Sequence, residues 1–356
     1  MKRIGIITFH QALNYGAILQ AYALRKFIVS NYNNIDAEII DYQCPYLSRY
    51  YSLKSQKRTN IVKSVLASIN FLVRRNRFNS FIKKHLKISS DYYTPDSIYK
   101  TNEKYDAFIV GSDQVWNPEL TDNDLNYFLK FASTEKRNSY AASIGVDGFQ
   151  TNIKPIIVSN LKMFNHISLR EKSGKEYVDS ILDNNISEVN MDPTLLLKKD
   201  DWAKLQKGQK KEKYLFVYTI KYSQELINEA RSFAQQNKIK VYYVGPYKKN
   251  KNVKYIHSPK IEKLLSLIYN ADYVFTNSFH GTAFSVIFEK QFYVKRNNND
   301  SRNSRIDDFL DLLDLQERKT VNNVYNSITW EKVRALIEQE RERTFEYLKR
   351  IIEYGK

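Results

Sequence analysis

The chain is organised around the stretch Tyr273-Val-Phe-Thr-Asn-Ser-Phe-His280-Gly281-Thr282-Ala-Phe-Ser285. Its first residues are apolar and β-branched or aromatic, which predicts a buried strand. The strand ends at a polar turn that includes Ser278, and a helix is predicted to begin at Gly281-Thr282. The first N–H groups of a helix carry partial positive charge and point at whatever lies beside them. The sequence therefore predicts an anion site beside His280.

Apolar runs of strand length alternate with helical periodicity on both sides of this stretch. Strands are predicted at 2–8, 37–41, 105–110, 136–142, 166–170, 214–220, 240–244, 272–276 and 292–294. Helices are predicted at 18–27, after Glu171, and at 223–236, 261–270, 284–288, 306–313 and 328–353. Alternation of this kind requires crossover connections, so we predict an α/β fold with parallel sheets.

The length of 356 residues is too great for one ordinary hydrophobic core and predicts two domains. Asp192-Pro193 breaks the periodic pattern and marks the crossing between them. We expect an N-terminal domain over residues 1–190, a C-terminal domain over 200–325 and a terminal helix over 328–356.

Several classes of protein are disfavoured by composition. The single cysteine, Cys44, excludes a disulfide scaffold and a multi-cysteine metal site, and no metal-ligand spacing is present. The first ten residues are interpreted as a strand rather than a signal peptide, and no run of 18 apolar residues occurs. We therefore expect a cytoplasmic protein that needs no metal.

The net charge of +17 is concentrated in one segment. Residues 43–90 contain 11 Lys and Arg and no Asp or Glu, which leaves +6 for the rest of the chain. Apolar residues recur there at helical spacing, from Ile61 to Val73. An amphipathic basic helix suits an anionic membrane surface or a lipid-linked acceptor, and a solvated helical insertion is the alternative. Nucleic acid is not expected, because the aromatics do not alternate along a strand.

Two polar loops follow predicted strands of the first domain. The first contains His10, Asn14, Tyr15 and Gly16. Loops at the carboxyl edge of an open α/β sheet bind ligands, although His10 could instead make a structural hydrogen bond.

The second loop, 111–118, contains Asp113, Gln114, Trp116 and Asn117. Carboxylate and amide groups bind hydroxyls directionally, and an indole offers a face to a sugar ring. A capped turn with Trp116 in the core is the alternative.

Five motifs together are similar to those of a known family. They are Asn14-Tyr-Gly-Ala with Gln20-Ala-Tyr-Ala-Leu, Gly111-Ser-Asp-Gln-Val-Trp-Asn117, Ser168-Leu-Arg-Glu171, Asp192-Pro-Thr194 and Thr276-Asn-Ser-Phe-His-Gly-Thr282. In this order, between residues 4 and 315, they resemble the polysaccharide pyruvyl transferase family. The resemblance implies two Rossmann-like domains in a GT-B-like arrangement, with the active site in the interdomain cleft.

The resemblance also implies a reaction. Pyruvate would pass from phosphoenolpyruvate, a co-substrate, to two hydroxyls of a sugar in capsule or exopolysaccharide biosynthesis, giving a cyclic ketal without a cofactor. The N-terminal domain would hold the acceptor and the C-terminal domain the donor. We expect a lipid-linked saccharide acceptor and an enzyme located peripherally at the inner face of the membrane.

Each candidate residue has a predicted role. Catalysis is assigned to His280, which gives a proton or braces the departing phosphate, and to Asp113 as general base. Donor binding is assigned to Arg170, Ser278, Gly281, Thr282, Lys295, Arg296, Arg302 and Arg305. Acceptor binding is assigned to His10, Asn14, Tyr15, Gly16, Gln114, Trp116 and Asn117.

One residue departs from the family pattern. Several members have Arg two residues before the histidine, where this chain has Ser278. The late cations from Lys295 to Arg305 are the candidates to replace it, because arginine pairs well with phosphate and carboxylate.

Three structural alternatives stay open. His280 could only cap a helix, Asp113 could only cap a turn, and Arg170 could only pair with a neighbouring carboxylate.

Two other functions also stay open. A glycosyltransferase on the same architecture would respond to nucleotide sugars and not to phosphoenolpyruvate. A polyanion-binding module would depend on residues 43–90 and tolerate loss of His280.

Overall fold

The structure is a computed structural model that describes residues 1–52, 61–146, 148–206, 208, 212–296 and 303–354. The chain divides into two compact units. The first unit comprises Met1–Leu196 and Gln339–Lys356, and the second comprises Leu197–Glu338. The terminal helix is therefore shared, its first residues belonging to the second unit and the remainder to the first.

The first unit alternates strands and helices. Its elements are β1 Lys2–Ile7, α1 Tyr15–Asn31, β2 Ile35–Tyr42, α2 Pro45–Tyr50, α3 Ile61–His85, β3 Ile88–Tyr93, β4 Ala107–Gly111, α4 Pro118–Thr121, β5 Arg137–Tyr140, α5 Lys154–Leu161, β6 Ile167–Leu169, α6 Lys172–Leu182 and β7 Ser187–Val189. Strand β4 is buried along its whole length, as expected for a strand covered by helices on both faces.

The sheet of the first unit is parallel, with strand order β3-β2-β1-β4-β5. Isolated bridges from Asn138 to His166 and from Ala142 to Leu169 connect β5 to β6, which pairs with β7. The strand order reverses direction between β1 and β4. Ligands of open α/β sheets bind at such a switch point, beyond the carboxyl ends of the strands.

The second unit repeats this topology. Its elements are α7 Lys199–Ala203, β8 Tyr214–Tyr218, α8 Gln224–Gln236, β9 Lys240–Val244, β10 Val253–Tyr255, α9 Ile261–Tyr269, β11 Tyr273–Thr276, α10 Phe279–Ile287, β12 Gln291–Val294, α11 Asn303–Leu312 and, shared with the first unit, α12 Trp330–Tyr354. The sheet is parallel, with order β10-β9-β8-β11-β12 and its switch point between β8 and β11. The predicted α/β fold with two Rossmann-like domains is confirmed.

The basic segment 43–90 forms more than one kind of element. Its predicted helix is confirmed as α3, but its last residues begin β3, an edge strand whose Ile88 pairs with Ile39 of β2. The segment is therefore partly built into the sheet. Its cations Lys54, Lys57 and Arg58 lie outside the described residues.

Helix α12 packs against the first unit through its second half. The hydroxyl of Tyr347 donates to the carbonyl oxygen of Ser139 at 2.7 Å, and the hydroxyl of Thr344 donates to the side-chain oxygen of Asn190 at 3.2 Å. Tyr347 is fully buried there. In the described residues no helix is long and apolar enough to cross a bilayer.

Candidate functional site

The turn after β11 is held by its own hydroxyl groups. Ser278 caps α10, its Oγ accepting from the backbone N–H of Gly281 at 3.3 Å. The hydroxyl of Thr282 donates to the carbonyl oxygen of Ser278 at 3.0 Å. The hydroxyl of Thr276 donates to the carbonyl oxygen of Tyr218 at 2.7 Å and accepts from the N–H of Ser278 at 3.0 Å. The helix therefore begins at a fixed position beside β8.

Gly281 has a packing reason to be glycine. A Cβ at this position would overlap Oγ1 of Thr276 and lie 3.0 Å from Cδ1 of Tyr218. The absence of a side chain lets α10 approach β8 and β11 closely. The structure thus gives Gly281 a structural role, with its N–H bonded to Ser278 Oγ and its carbonyl oxygen accepting from the Ser285 hydroxyl at 2.7 Å. Donor contact at Gly281 stays a prediction.

His280 lies in the first turn of α10, at the switch point of the second unit. The side chain is buried, and its ring meets that of Phe279 edge to face at a centroid distance of 5.3 Å. Such a histidine sits where the N-terminal dipole of a helix favours an anion.

Asn277, which sequence reasoning did not select, joins the two loops of this switch point. Its Oδ1 accepts from the N–H of Ile220 at 3.2 Å, and its Nδ2 donates to the carbonyl oxygen of Lys221 at 2.9 Å. The loop after β8 and the turn that carries His280 are therefore one hydrogen-bonded structure. The sequence did contain a signal for Asn277, because an amide side chain directly follows a predicted strand.

Two of the four late cations are paired with acids. The ammonium of Lys295 lies 2.8 Å from Glu229 Oε1 and 3.3 Å from Glu225 Oε2, and the hydrogen bond to Glu229 raises the pKa of Lys295. Arg296 lies 3.1 Å from Asp307. These pairs neutralise much of the charge that donor binding was expected to use.

The other two late cations are Arg302 and Arg305. Arg305 is half-buried on α11, and Arg302 lies outside the described residues.

The turn after β4 carries Asp113 in an unusual backbone conformation. Ser112 has φ 21° and Asp113 has φ 62°, both in the left-handed region that L-residues seldom adopt. The carbonyl oxygen of Asp113 accepts from the N–H of Ser143 at 3.0 Å. The Asp113 side chain is half-buried. Consecutive residues of this kind cost free energy and are typical of functional turns.

Arg170 lies in a buried ion-pair network in the first unit. Its guanidinium donates to Glu171 at 3.1 Å and to Asp192 at 2.8 Å. Burial alone would lower the pKa of Arg170, but the carboxylates of Glu171, Asp192 and Asp113 raise it. Asp192 also accepts from the N–H and hydroxyl of Thr194 at 2.9 and 2.7 Å. This geometry favours the structural alternative for Arg170 over donor binding.

His10 is buried against Asp41. Its Nε2 lies 2.9 Å from Asp41 Oδ1, and its Nδ1 lies 3.2 Å from the carbonyl oxygen of Thr8. Asp41 also accepts from the side-chain amides of Gln11 and Gln43, each at 2.7 Å. Burial would raise the pKa of the Asp41 carboxyl, but these hydrogen bonds lower it overall. The His10 side chain is therefore part of a hydrogen-bonded loop, the structural alternative stated for it.

The residues that begin α1 have local roles. Asn14 caps the helix, its Oδ1 accepting from the N–H groups of Gly16 at 2.9 Å and Ala17 at 3.4 Å. Tyr15 is buried against Phe78 of α3, with ring centroids 4.8 Å apart. Asn14 and Tyr15 thus fix the helix and its neighbour, and acceptor contact stays a prediction.

Trp116 does not offer a face to a ligand. It is 1% exposed, stacks on Phe128 at a centroid distance of 5.4 Å and donates from Nε1 to the carbonyl oxygen of Tyr127 at 2.9 Å. Asn117 caps α4 and donates to the side-chain oxygen of Gln114 at 3.2 Å. The expectation of a sugar platform at Trp116 is therefore wrong, because its ring is enclosed in the core.

Metal binding was not expected, and the geometry offers no candidate in the part of the chain that the structure describes. No three His, Cys, Asp or Glu side chains come together there so as to hold a metal ion.

With this geometry in place, comparison with known proteins assigns a family. The model of the family described as polysaccharide pyruvyl transferase matches residues 14–299. The chain belongs to this family. The matched range contains the turn of Asp113 and the turn of His280. Among curated proteins, none matches the chain in sequence.

Solved structures agree with the fold. UDP-GlcNAc 2-epimerase from Neisseria meningitidis, bound to UDP-GlcNAc, has a TM-score of 0.51 and 11% identity, covering 98% of this chain and 99% of its own. A putative UDP-N-acetylglucosamine 2-epimerase from Listeria monocytogenes has a TM-score of 0.53 and 12% identity, covering 98% and 96%. An α-glucosyltransferase in complex with UDP and DNA has a TM-score of 0.50 and 10% identity, covering 98% and 95%. These are GT-B-type proteins, and the likeness concerns the fold alone.

Proposed function

We propose that this protein transfers pyruvate from phosphoenolpyruvate to two hydroxyls of a saccharide and forms a cyclic ketal. The observation that carries the proposal is the family match, which contains the Asp113 turn of the first switch point and both strands, β8 and β11, of the second. The chemistry of the two switch points supports a division of labour. The second unit would hold the anionic donor and the first the hydroxyl-bearing acceptor.

The donor half rests on the start of α10. Phosphoenolpyruvate carries roughly three negative charges, which helix N–H groups and a histidine can meet. Ser278 and Gly281 hold this helix start in place, and His280 lies in its first turn. His280 would protonate the donor or brace its phosphate as it leaves.

The acceptor half rests on Asp113. A carboxylate on a strained turn at a switch point is a suitable general base for a sugar hydroxyl. His10 and Arg170 would position this region rather than touch the sugar, since each is engaged with carboxylates of the first unit.

In the proposed reaction, two sugar oxygens bond in turn to C2 of phosphoenolpyruvate. A proton adds to the methylene carbon of phosphoenolpyruvate, leaving C2 cationic, and one sugar oxygen bonds to C2 while its proton passes to a base. The bond from C2 to the phosphate oxygen then breaks, inorganic phosphate leaves, and the second sugar oxygen bonds to C2 and loses its proton. The products are one ketal and one phosphate.

The late cations have a reduced part in this proposal. Lys295 and Arg296 already pair with carboxylates, so part of their charge is compensated before a donor binds. Ion pairs of partly exposed groups contribute little net free energy. The helix start and His280 therefore form the centre of the proposed donor site.

The acceptor is proposed to be a lipid-linked saccharide, and the protein to act on the cytoplasmic side of a membrane. The basic, acid-free segment 43–90 supports this part of the proposal, because lipid-linked intermediates are held at an anionic surface.

The test is an acceptor panel incubated with phosphoenolpyruvate, followed by phosphate assay and mass spectrometry. We expect equal release of phosphate and gain of pyruvate mass on one class of saccharide. Unmodified saccharides across the panel, together with consumption of a nucleotide sugar, would establish the glycosyltransferase alternative instead.

A further inference from the structure

Helix α3 has one face that anchors it to the first unit. Phe71, Phe78 and Phe81 are buried on this face, and Phe81 meets Tyr22 at a centroid distance of 5.9 Å. The guanidinium of Arg74 donates to the carbonyl oxygen of Leu13. The helix is thus fixed against the start of α1 and the loop before it.

The opposite face exposes apolar side chains. Five of them are between 37% and 56% exposed, and they form what we call the apolar stripe: Val65, Leu66, Ile69, Leu72 and Val73. The last four follow Val65 by one, four, seven and eight residues, and this spacing places all five on one side of a helix. Contiguous exposed apolar surface of this kind marks an interaction site.

Cations continue the same helix beyond the apolar stripe. Arg75, Lys83 and Lys84 are exposed, and in the described residues none of the three pairs with an acid. The whole segment 43–90 contains no Asp or Glu. The exposed surface of α3 therefore combines apolar side chains with uncompensated positive charge.

We propose that α3 docks the first unit on the surface of an anionic bilayer. The apolar stripe would enter the boundary between head groups and acyl chains, and Arg75, Lys83 and Lys84 would contact anionic head groups. A second copy of the chain fits this surface less well, because two segments of the same high positive charge would be brought together.

Docking would place the acceptor loop near the bilayer. The inner face of α3 contacts that loop through Arg74 on Leu13 and through Phe78 on Tyr15. An amphiphilic acceptor would then reach its site without leaving the membrane surface. This consequence rests on the proposed function, whereas docking itself does not.

The test is co-sedimentation of the full chain with vesicles of phosphatidylcholine alone and of phosphatidylcholine with phosphatidylglycerol. We expect binding to the anionic vesicles that weakens with added salt. The triple variant Leu66→Gln, Ile69→Gln, Leu72→Gln should bind them at least about tenfold more weakly. Lys83→Gln with Lys84→Gln should weaken binding about fivefold for each charge removed.

The matched controls change as many exposed residues elsewhere on the first unit. Ile156→Gln, Met163→Gln and Ile186→Gln remove equally exposed apolar side chains, and Lys130→Gln with Lys162→Gln removes two exposed cations. Both controls should bind vesicles as the unmodified chain does. Circular dichroism and the thermal midpoint check that every variant is folded.

Three results would overturn docking. They are equal binding to neutral and anionic vesicles, unchanged binding by the apolar-stripe variant, and a dimer of the unmodified chain that this variant converts to monomers. Activity on a water-soluble acceptor separates this proposal from the proposed function. The apolar-stripe variant should transfer pyruvate to such an acceptor at the normal rate. Vesicle binding without any pyruvyl transfer would count against the proposed function alone.

Discussion

The two switch points share a topology and differ in chemistry. In each, a threonine hydroxyl at the end of one strand donates to backbone of the neighbouring strand or turn: Thr8 to Ser112 at 3.4 Å, and Thr276 to Tyr218 at 2.7 Å. The first switch point then adds carboxylates, including Asp41 and Asp113. The second adds a capped helix N-terminus and His280.

This difference teaches how one fold can serve two substrates. Strand order determines where the loops meet, and the side chains at that place determine which charge is favoured. A site with carboxylates accepts protons from hydroxyls, whereas a helix start favours an anion. Variants that affect one switch point and spare the other are therefore the informative ones.

The largest effect is expected from His280→Asn, which removes the proposed acid and keeps a polar side chain. We expect kcat/KM for pyruvyl transfer to fall by about 10²- to 10⁴-fold, the usual contribution of a positioned proton donor. Steady-state kinetics of phosphate release measure it.

The matched control is His166→Asn. His166 precedes β6, at the amino end of the strand and away from the switch point. The variant His166→Asn should keep the activity of the unmodified protein. Equal activity of His280→Asn and the unmodified protein would remove His280 from the reaction.

Asp113→Asn should lower the rate by about 10²-fold, because the amide cannot accept the hydroxyl proton. Asparagine tolerates the left-handed conformation as well as aspartate does, so the turn should keep its shape. Asp122→Asn is the matched control, since Asp122 has φ 54° and lies near the surface. If Asp113→Asn has a thermal midpoint well below that of the unmodified protein and of Asp122→Asn, its loss of activity would instead indicate a structural turn.

A smaller and pH-dependent effect is expected from Asp41→Asn. Near neutral pH the variant should lose about 1 to 3 kcal/mol of unfolding free energy, because hydrogen bonds to a charged group are weakened. The pKa of Asp41 is lowered in the folded state, so its contribution is present above the unfolded pKa of about 4 and is lost as the pH falls through the folded pKa. Urea titrations at several pH values measure it.

The difference between Asp41→Asn and the unmodified protein should therefore shrink in acid. Asp96→Asn changes an exposed carboxylate of the same unit and serves as the control. A difference that grows as the pH falls would contradict the assignment.

The smallest effect is expected from Lys295→Gln. Glu225 and Glu229 already neutralise this ammonium, so kcat/KM should fall by no more than about fivefold. A loss of about a hundredfold, mainly in KM for the donor, would show that Lys295 leaves its acids to bind phosphoenolpyruvate.

Much of the fold follows from periodicity in the sequence. The apolar runs of β4, β8 and β11 are short, β-rich and bounded by polar turns, and each lies where its pattern predicts. Strands β3, β7 and β10 were not predicted. Strands β7 and β10 contain only three residues each, with a charged residue at the centre, and β3 begins inside the basic segment that was interpreted as a helical insertion.

The candidate site was harder to predict in detail. The sequence indicates that Trp116 and Lys295 lie near loops, but it does not show their partners. Trp116 is occupied by the aromatic core and Lys295 by two glutamates from α8. Partners distant in sequence are determined by packing, which a local pattern does not contain.

Calorimetric titration with phosphoenolpyruvate tests most directly the claim that the second switch point holds the donor. We predict that Asp113→Asn binds phosphoenolpyruvate with unchanged affinity, while His280→Asn binds it about tenfold more weakly or worse, as expected for loss of a charge-assisted hydrogen bond. Loss of phosphoenolpyruvate binding in Asp113→Asn with normal binding in His280→Asn would contradict the account.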